Sequence, residues 1–294
     1  MRIGVDCIKC QIDRQYRLAS TQTDSEKQAL FIKDVCRIIA EAPSEWPSPV
    51  FTPLFNEAFA KHFGYSDRFA DIKKRSNEYI LAIENDLKKQ IESSDCPILM
   101  ALKLARAGNY IDFGALGNTV NDEQLNALIS EAADQSVDMT EFNRMLDELT
   151  TAKSLVYLAD NAGEIVMDKL LISELKKAYP KLDITLSVRG YPVLNDATLD
   201  DCKQVGIDKI ANTMSNGSHV AGTYIPDISD ELREKLLSAD VIISKGQGNF
   251  ETLSGSGLNI YYVFLCKCQL FCRIFNVPQL TGMFLNERRI NIDN

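Results

Sequence analysis

Histidine is scarce in this chain: its 294 residues contain two, His62 and His219. That scarcity removes most mechanisms in which an imidazole serves as base or metal ligand. His62 sits in the helical-looking "FNEAFAKHFGY" and reads as an ordinary structural residue. His219, in "SNGSH" after a possible strand, is a candidate for ligand contact. No apolar run reaches the roughly 18 residues that span a bilayer. The opening "MRIGVDCIKCQIDRQ" has no hydrophobic signal core. The expectation is a cytoplasmic protein with no membrane partner. Basic charge is also short: 32 Lys and Arg face 41 Asp and Glu, a formal charge of −9, and no Lys/Arg block occurs. That balance argues against a nucleic-acid partner. Familiar nucleotide and hydrolase signatures are missing too. There is no Walker lysine loop, no Gly-x-Ser-x-Gly elbow and no Gly-x-Gly-x-x-Gly after the first strand, and "KGQGNFE" carries an acid where a third small residue is needed.

Cysteine is not scarce, at eight residues. Without a secretion signal these read as thiols, because the cytosol keeps cysteine reduced. Two form Cys7-x-x-Cys10, three crowd into "FLCKCQLFC" as Cys266, Cys268 and Cys272, and Cys36, Cys96 and Cys202 are scattered. A single Cys-x-x-Cys fits metal or redox chemistry, but it equally fits small buried apolar side chains.

From about residue 23 to 150 the apolar positions recur at helical spacing. In "DRFADIKKRSNEYILAIENDLKKQI" the residues Phe69, Ile72, Tyr79, Ile80, Ile83, Leu87 and Ile91 mark one stripe. Further helices are predicted over 25–41, 97–107, 122–133 and 140–149, with Asp122 and Thr140 as N-caps. "EAPSEWPSPVFTP", with four prolines, reads as a loop. After residue 153 short apolar runs alternate with helical segments. Strands are predicted over 155–159, 184–188, 209–211 and 241–244, with "NIYYVFLC" last; helices are predicted over 164–178, 197–205, 229–238 and 267–275. Such alternation implies a mostly parallel sheet, an α/β/α sandwich, with a helical domain before it. The division is residues 1–150 helical and residues 151–294 α/β.

Ligands of an open parallel sheet sit beyond the carboxyl ends of its strands. Applied here, that rule selects Asp160, Asn161 and Glu164 after the first strand and Arg189, Asn195 and Asp196 after the second. It selects Asn212, Ser215 and Asn216 after the third, and Lys245, Asn249 and Glu251 after the fourth. Taken singly, "DNAG" is also a turn, "NDAT" also an N-cap and "KGQGN" also a loop. Together they place hard oxygen donors suited to Mg²⁺ or Mn²⁺ near Lys245, with Gly163 allowing close backbone approach at a helix N-terminus. Such a site suits phosphate, with a metal polarising a phosphoryl oxygen and activating a water. The Asp160-Asn161 pair lacks the Asp-x-Asp of aspartyl-phosphate enzymes, which favours a metal-activated water over a covalent intermediate. Asp112-Phe113-Gly114 resembles a kinase magnesium motif, but no glycine-rich or catalytic kinase loop accompanies it.

The set "LADNAGE", "SVRGYPVLNDATLDD" and "ISKGQGNFE" resembles the damage-control phosphatase family, also known as domain-of-unknown-function family eighty-nine. "DCIKCQIDR", "AGNYIDFG" and "KCQLFCRIFNVP" resemble its subgroup with N-terminal Cys-x-x-Cys. The resemblance covers nearly the whole chain. It implies a helical part on a Rossmann-like α/β domain and a divalent-metal-dependent phosphatase of small phosphorylated metabolites, using Mn²⁺, Co²⁺, Ni²⁺ or Mg²⁺. By that resemblance Asp160, Asn161 and Asp196 match the metal ligands, and Lys245 matches a lysine at the phosphate. Glu164 is a candidate to orient the attacking water, and Asn109, Asp112, Arg189 and Asn249 are candidates for substrate contact. In the cysteine subgroup, Cys7, Cys10 and Cys268 are candidates for a second, thiolate-bound metal. The competing expectations are an S-adenosylmethionine-dependent carboxyl methyltransferase and a non-catalytic cysteine-based metal or redox module. The first lacks its glycine-rich loop.

Overall fold

Apolar side chains three and four apart build the N-terminal half from helices. The computed structural model describes residues 1–65, 67–109, 130–131 and 134–290. Its first helices are α1 (Val5–Ala19), α2 (Ser25–Glu41), α3 (Phe51–Phe63), α4 (Ala70–Glu92), α5 (Pro97–Ala107) and α6 (Met139–Thr151). The predicted Asp122 cap and nearly all of that predicted helix lie outside the described residues. The Asp24 carboxylate accepts from the N–H groups of Glu26 and Lys27 and starts α2. At α6 the cap is Asp138 rather than Thr140; its carboxylate accepts the Thr140 and Glu141 N–H groups at 2.8 and 3.2 Å.

Two expectations change in this half. The proline-rich stretch is not a loop throughout, because Ser48–Val50 forms a 3-10 turn that runs straight into α3. Pro53 falls in the first turn of α3, where backbone N–H groups have no helical partner to lose. The buried face of α4 is Lys73, Asn77, Ile80, Glu84, Leu87 and Ile91, so half of it is polar. Those polar groups are matched by partners beyond residue 150: Lys73 meets Asp201 at 2.8 Å and Glu84 meets Lys169 at 2.9 Å. Helices α1 to α3 share a separate apolar cluster around Phe31, Val35, Phe51, Phe55 and Phe59.

The C-terminal half runs β1 (Ser154–Leu158), α7 (Glu164–Ala178), β2 (Asp183–Val188), α8 (Leu199–Val205), β3 (Asn212–Ser215), α9 (Asp230–Ser238), β4 (Val241–Lys245), α10 (Gln247–Leu253), β5 (Ile260–Leu265), α11 (Gln269–Phe275) and β6 (Gly282–Asn286). The strands form one sheet in the order β3-β2-β1-β4-β5-β6, parallel except for the β5–β6 pair. Three segments depart from the sequence expectations. Residues 207–209 form a 3-10 turn after a left-handed Gly206, which delays β3 to residue 212. "KGQGN" opens α10 instead of a loop, and β6 follows the strand read as last.

Side chains alternate across the sheet and bury on both faces. Leu155 and Tyr157 join a cluster with Ile80 and Leu87 of α4, Leu104 of α5, Met145 of α6 and Leu171 of α7. Val156 and Leu158 join Leu232 of α9, Phe250 of α10 and Phe271 of α11. One face is therefore covered by helices from both sides of residue 150. The chain steps from β1 toward β2 and β3, then returns to lay β4 on the other side of β1. The loops after β1 and β4 diverge there, which opens a crevice at the strands' carboxyl ends.

Candidate active site

The backbone of that crevice is tied before any side chain is placed. Asn161 and Asp196 form an isolated antiparallel bridge. The Ala162 N–H donates to the Asn195 carbonyl at 2.9 Å and the Ala197 N–H to the Asp160 carbonyl at 2.7 Å. The loops after β1 and β2 are thus clasped, and Asp160, Asn161 and Asp196 sit on the clasp. The next turn needs Gly163, whose φ is 79°. Its N–H donates to the Asn77 Oδ1 at 2.6 Å, so α4 holds the turn from the helical half. Gly246 is fixed by space as well as by its φ of 79°. A Cβ there would fall 2.0 Å from the Asp160 Oδ2.

Side chains then converge on Asp160. Its Oδ2 accepts from the Nδ2 groups of Asn161 at 2.7 Å and Asn109 at 3.0 Å. The same two amides reach the Glu164 Oε2 at 3.1 and 2.9 Å. Arg189 lies beside the aspartates, with Nε 2.5 Å from the Asp196 Oδ2 and Nη2 3.4 Å from the Asp160 Oδ1. Burial pushes the Asp160 carboxyl well above the usual carboxylate range, and the charges of Asp196 and Glu164 add to this while Arg189 opposes it.

Behind these residues is a second, closed cluster. The Lys245 Nζ donates to the Glu164 Oε1 at 2.5 Å, the Asp168 Oδ1 at 2.7 Å and the Ala105 carbonyl at 2.8 Å. The Tyr157 hydroxyl donates to the same Asp168 oxygen at 2.6 Å. Lys245, Glu164 and Asp168 are each 0% exposed. Burial opposes the charge on Lys245, but its two carboxylate partners raise its pKa above the ordinary lysine value. Burial pushes Asp168 up to about 6 despite the pull of Lys245.

These contacts sort the sequence candidates. Asn109, Asp160, Asn161 and Asp196 line an open cleft of about 760 Å³. Glu164 and Lys245 do not. All three Lys245 N–H groups are used inside the protein, so here it lies beneath the cleft floor. Glu164 orients the amides of Asn109 and Asn161. Arg189 and Asn249 are also buried. The Asn249 Oδ1 accepts from Arg189 at 3.1 Å and from the Thr223 hydroxyl at 2.8 Å, while its Nδ2 donates to the carbonyls of Ala159 and Lys245. Asp112 lies outside the described residues.

Among the remaining strand-end candidates, Asn195 and Glu251 line the cleft. Asn212 and Ser215 fall inside β3 rather than after it. The Asn216 Oδ1 holds the N–H groups of Gly190 and Ser218. His219 stacks on Tyr191 with ring centroids 3.6 Å apart and is absent from the cleft lining, and His62 pairs with Asp34.

Sequence reading missed three contributors. Helix α1 lends Gln11, Arg14 and Arg17 to the cleft wall. Asn77 holds the Gly163 turn; its signal is an amide at an inward register position of α4. Gly246 gives room to Asp160; its signal is the Lys-Gly step at a strand end.

Comparison with known proteins shows the family. The family model described as "Damage-control phosphatase ARMT1-like domain" matches residues 3–281. The chain belongs to this family. A damage-control phosphatase of Archaeoglobus fulgidus is 32% identical over 282 residues, covering 94% of this chain and 96% of that one. A damage-control phosphatase of Pyrococcus horikoshii is 27% identical over 285 residues, covering 95% and 96%. The crystal structure of a family eighty-nine protein from Pyrococcus horikoshii superposes with a TM-score of 0.83 at 26% identity, covering 98% of this chain and 99% of that chain.

A damage-control phosphatase site that takes a hard cation needs oxygen donors with unmet demand. Asp160 and Asp196 are two carboxylates held together in a buried setting, and the raised Asp160 pKa records negative charge that a cation would relieve. Asn161, on the same clasp, has its backbone bridged to Asp196 and its amide donating to Asp160 and Glu164. Beside it the Asn109 Oδ1 is buried without a hydrogen-bond partner. The donor set fits a divalent metal bound by oxygen.

The cysteine set differs. The Cys7 thiol is pushed up by burial, with Glu251, Cys268 and Cys10 adding to the rise, so these residues are neighbours. Arg273 of α11 pairs with Asp6 of α1 at 2.6 Å and ties the two helices. Among the described residues no group of three or more His, Cys, Asp or Glu is arranged to hold a metal, neither at these cysteines nor at Asp160 and Asp196, where the Asn161 amide would have to supply a further donor. Among the described residues, too, no helix is long and apolar enough to cross a membrane.

Proposed function

We propose that this protein is a divalent-metal-dependent phosphomonoester hydrolase that clears small phosphorylated metabolites, sugar phosphates or cofactor-precursor phosphates, in the cytoplasm. The observation that carries it is the convergence of Asp160, Asn161 and Asp196 on one clasped pair of loops at the floor of an open cleft. We assign the chain to the subgroup marked by Cys7 and Cys10. The strand order supports a Rossmann-like three-layer α/β/α arrangement carrying this site, with the helical residues 1–150 packed against it.

Asp160, Asp196 and the Asn161 amide would hold the metal, which when bound supplies Lewis acidity toward a phosphoryl oxygen and a more acidic coordinated water. The chain's own groups prepare the rest. Arg189 keeps Asp160 and Asp196 at fixed spacing with charge-assisted hydrogen bonds. Glu164, itself held by Lys245, fixes the amides of Asn109 and Asn161 so that their oxygens are committed in direction. Asn109, reaching in from beyond α5, donates its amide to Asp160 and Glu164 and so ties the helical half to the metal-holding loop.

The test is phosphate release from a panel of sugar and cofactor-precursor phosphates with Mn²⁺, Co²⁺, Ni²⁺ or Mg²⁺. Turnover that chelation abolishes, metal restores and Asp160→Ala removes is expected. Full activity in Asp160→Ala, or no release with any metal, would overturn the reading.

A further inference from the structure

Arg14 and Arg17 border the same cleft, Arg68 lies in a space beside it, and none of the three has an acidic partner among the described residues. Arg14 and Arg17 of α1 line the cleft that holds Asp160, Asn161 and Asp196. Arg14 also lines a smaller cavity of about 100 Å³ together with Arg68, from the segment before α4. The two spaces adjoin, since Gln11, Arg14, Leu18, Thr52, Phe69 and Leu194 border both.

The formal charge of the molecule is −9, and six arginines elsewhere in it, Arg37, Arg144, Arg189, Arg233, Arg273 and Arg289, are each paired with a carboxylate. Arg75 and Arg288 bond to backbone carbonyls and, like these three, pair with no carboxylate among the described residues. The nearest acid in sequence, Asp67, turns its carboxylate to the Phe69 N–H at 3.1 Å. Arg68 instead stacks over the Phe59 ring, 4.5 Å from its centroid. The ring contact anchors the guanidinium, a group whose N–H fork suits bidentate binding of an oxyanion. Arg14 lies near Arg68: burial first, then the Arg14 charge, lowers the Arg68 pKa. Asp160, Asp196 and Glu251 border the same cleft but none is ion-paired to these arginines, and like charges gathered without a paired carboxylate favour an anion.

We propose that Arg14, Arg17 and Arg68 form a second anion subsite, so that the preferred substrates are phosphate esters carrying another anionic group, a phosphate or a carboxylate, away from the ester that is cleaved. The proposal rests on the phosphatase reading for the inner site and adds the substrate class. One anionic end would reach the metal-binding floor and the other the arginines. Esters with a neutral far end would leave the arginines unmatched.

The experiment measures binding apart from turnover. Chelator-treated full-length protein is titrated calorimetrically with fructose 1,6-bisphosphate and with fructose 6-phosphate, and with 6-phosphogluconate and glucose 6-phosphate. The first pair tests a phosphate at the far end and the second a carboxylate. A charge-assisted contact to guanidinium is worth about a factor of ten, so each doubly anionic ligand is expected to bind about tenfold tighter than its partner. In Arg14→Gln/Arg68→Gln that ratio should collapse toward one, and Arg14→Glu should invert it. Equal affinities in the unaltered protein, no binding of any of the four, or a ratio that survives both variants would overturn the proposal. With Mn²⁺ added, the same ratio is expected in KM. Phosphate release without any such preference would sink the arginine subsite and leave the phosphatase reading standing. A calorimetric preference without release from any ester would do the reverse.

Discussion

Lys245 changes its meaning once its surroundings are seen. A lysine at a phosphate would be exposed to the cleft, and replacing it would lower turnover in a protein of ordinary stability. Here it is enclosed with Glu164 and Asp168, and the Asp168 Oδ2 already lacks a partner. Removing the cation leaves two buried carboxylates facing each other, a change that costs about 3–5 kcal/mol. Lys245→Met is therefore expected to lower the thermal unfolding midpoint sharply, read by circular dichroism with no substrate present. A variant as stable as the parent but inactive would return Lys245 to the phosphate. Asp160 makes the complementary case. If it holds a metal, Mn²⁺ should raise the unfolding midpoint of the parent by mass action, by about 2.7 kcal/mol at a hundredfold excess over Kd. Asp160→Asn should lose that rise, because an amide brings no charge to the cation.

Helices and strands place these residues, and two element ends matter most. The first turn of α10 opens at Gly246, where positive φ and the nearness of Asp160 leave no room for a Cβ. Gly246→Ala is expected to displace Asp160, destabilise the fold and abolish metal-induced stabilisation together. The inward face of α4 supplies the other end: Asn77→Ala leaves the buried Gly163 N–H unsatisfied, at a cost of about 1–3 kcal/mol visible in a denaturant titration. These two elements also show how far sequence reading reaches. Periodicity gave α2, α4, α5 and α7 nearly to the residue, and the strand-end rule selected Asp160, Asn161 and Asp196. It missed α10 because "GQGN" has the composition of a loop, and burial of Phe250 and Leu253 is what makes it helical. It missed α1 because only Gln15 and Ala19 of that helix are buried, too few to mark a stripe. It selected Glu164, Arg189, Asn249 and Lys245 with them but did not reveal that these four are buried, because sequence order tells which strand end a residue follows, not whether its side chain points to water or inward.

At the scale of the whole molecule the cleft lies between two bodies of packing: the α1 to α3 cluster on one side and the sheet with its covering helices on the other. Glu251, on α10, borders that cleft. Burial pushes its carboxyl up to about 7 from an ordinary value of 4.5, while Gln247 and the N-terminal ammonium pull the other way. Between those two pH values the folded protein keeps a proton that the unfolded chain has released. Its contribution to stability is therefore full below 4.5 and is lost as pH rises through about 7. Unfolding midpoints measured across that window should fall with pH in the parent and stay flatter in Glu251→Gln. Parallel curves would show that Glu251 titrates normally.

The backbone clasp between the loops after β1 and β2 has one more consequence. Because Ala162 bonds to Asn195 and Ala197 bonds to Asp160, the two loops share one register. Neither can change length independently. A single residue inserted on either side would shift the opposing strand of the bridge and carry Asp160 and Asp196 out of phase, whereas paired insertions could restore it. In a library of random insertions and deletions, tolerated length changes in these two loops should arise only as matched pairs. Amide hydrogen exchange should find Ala162 and Ala197 as slow as the sheet itself.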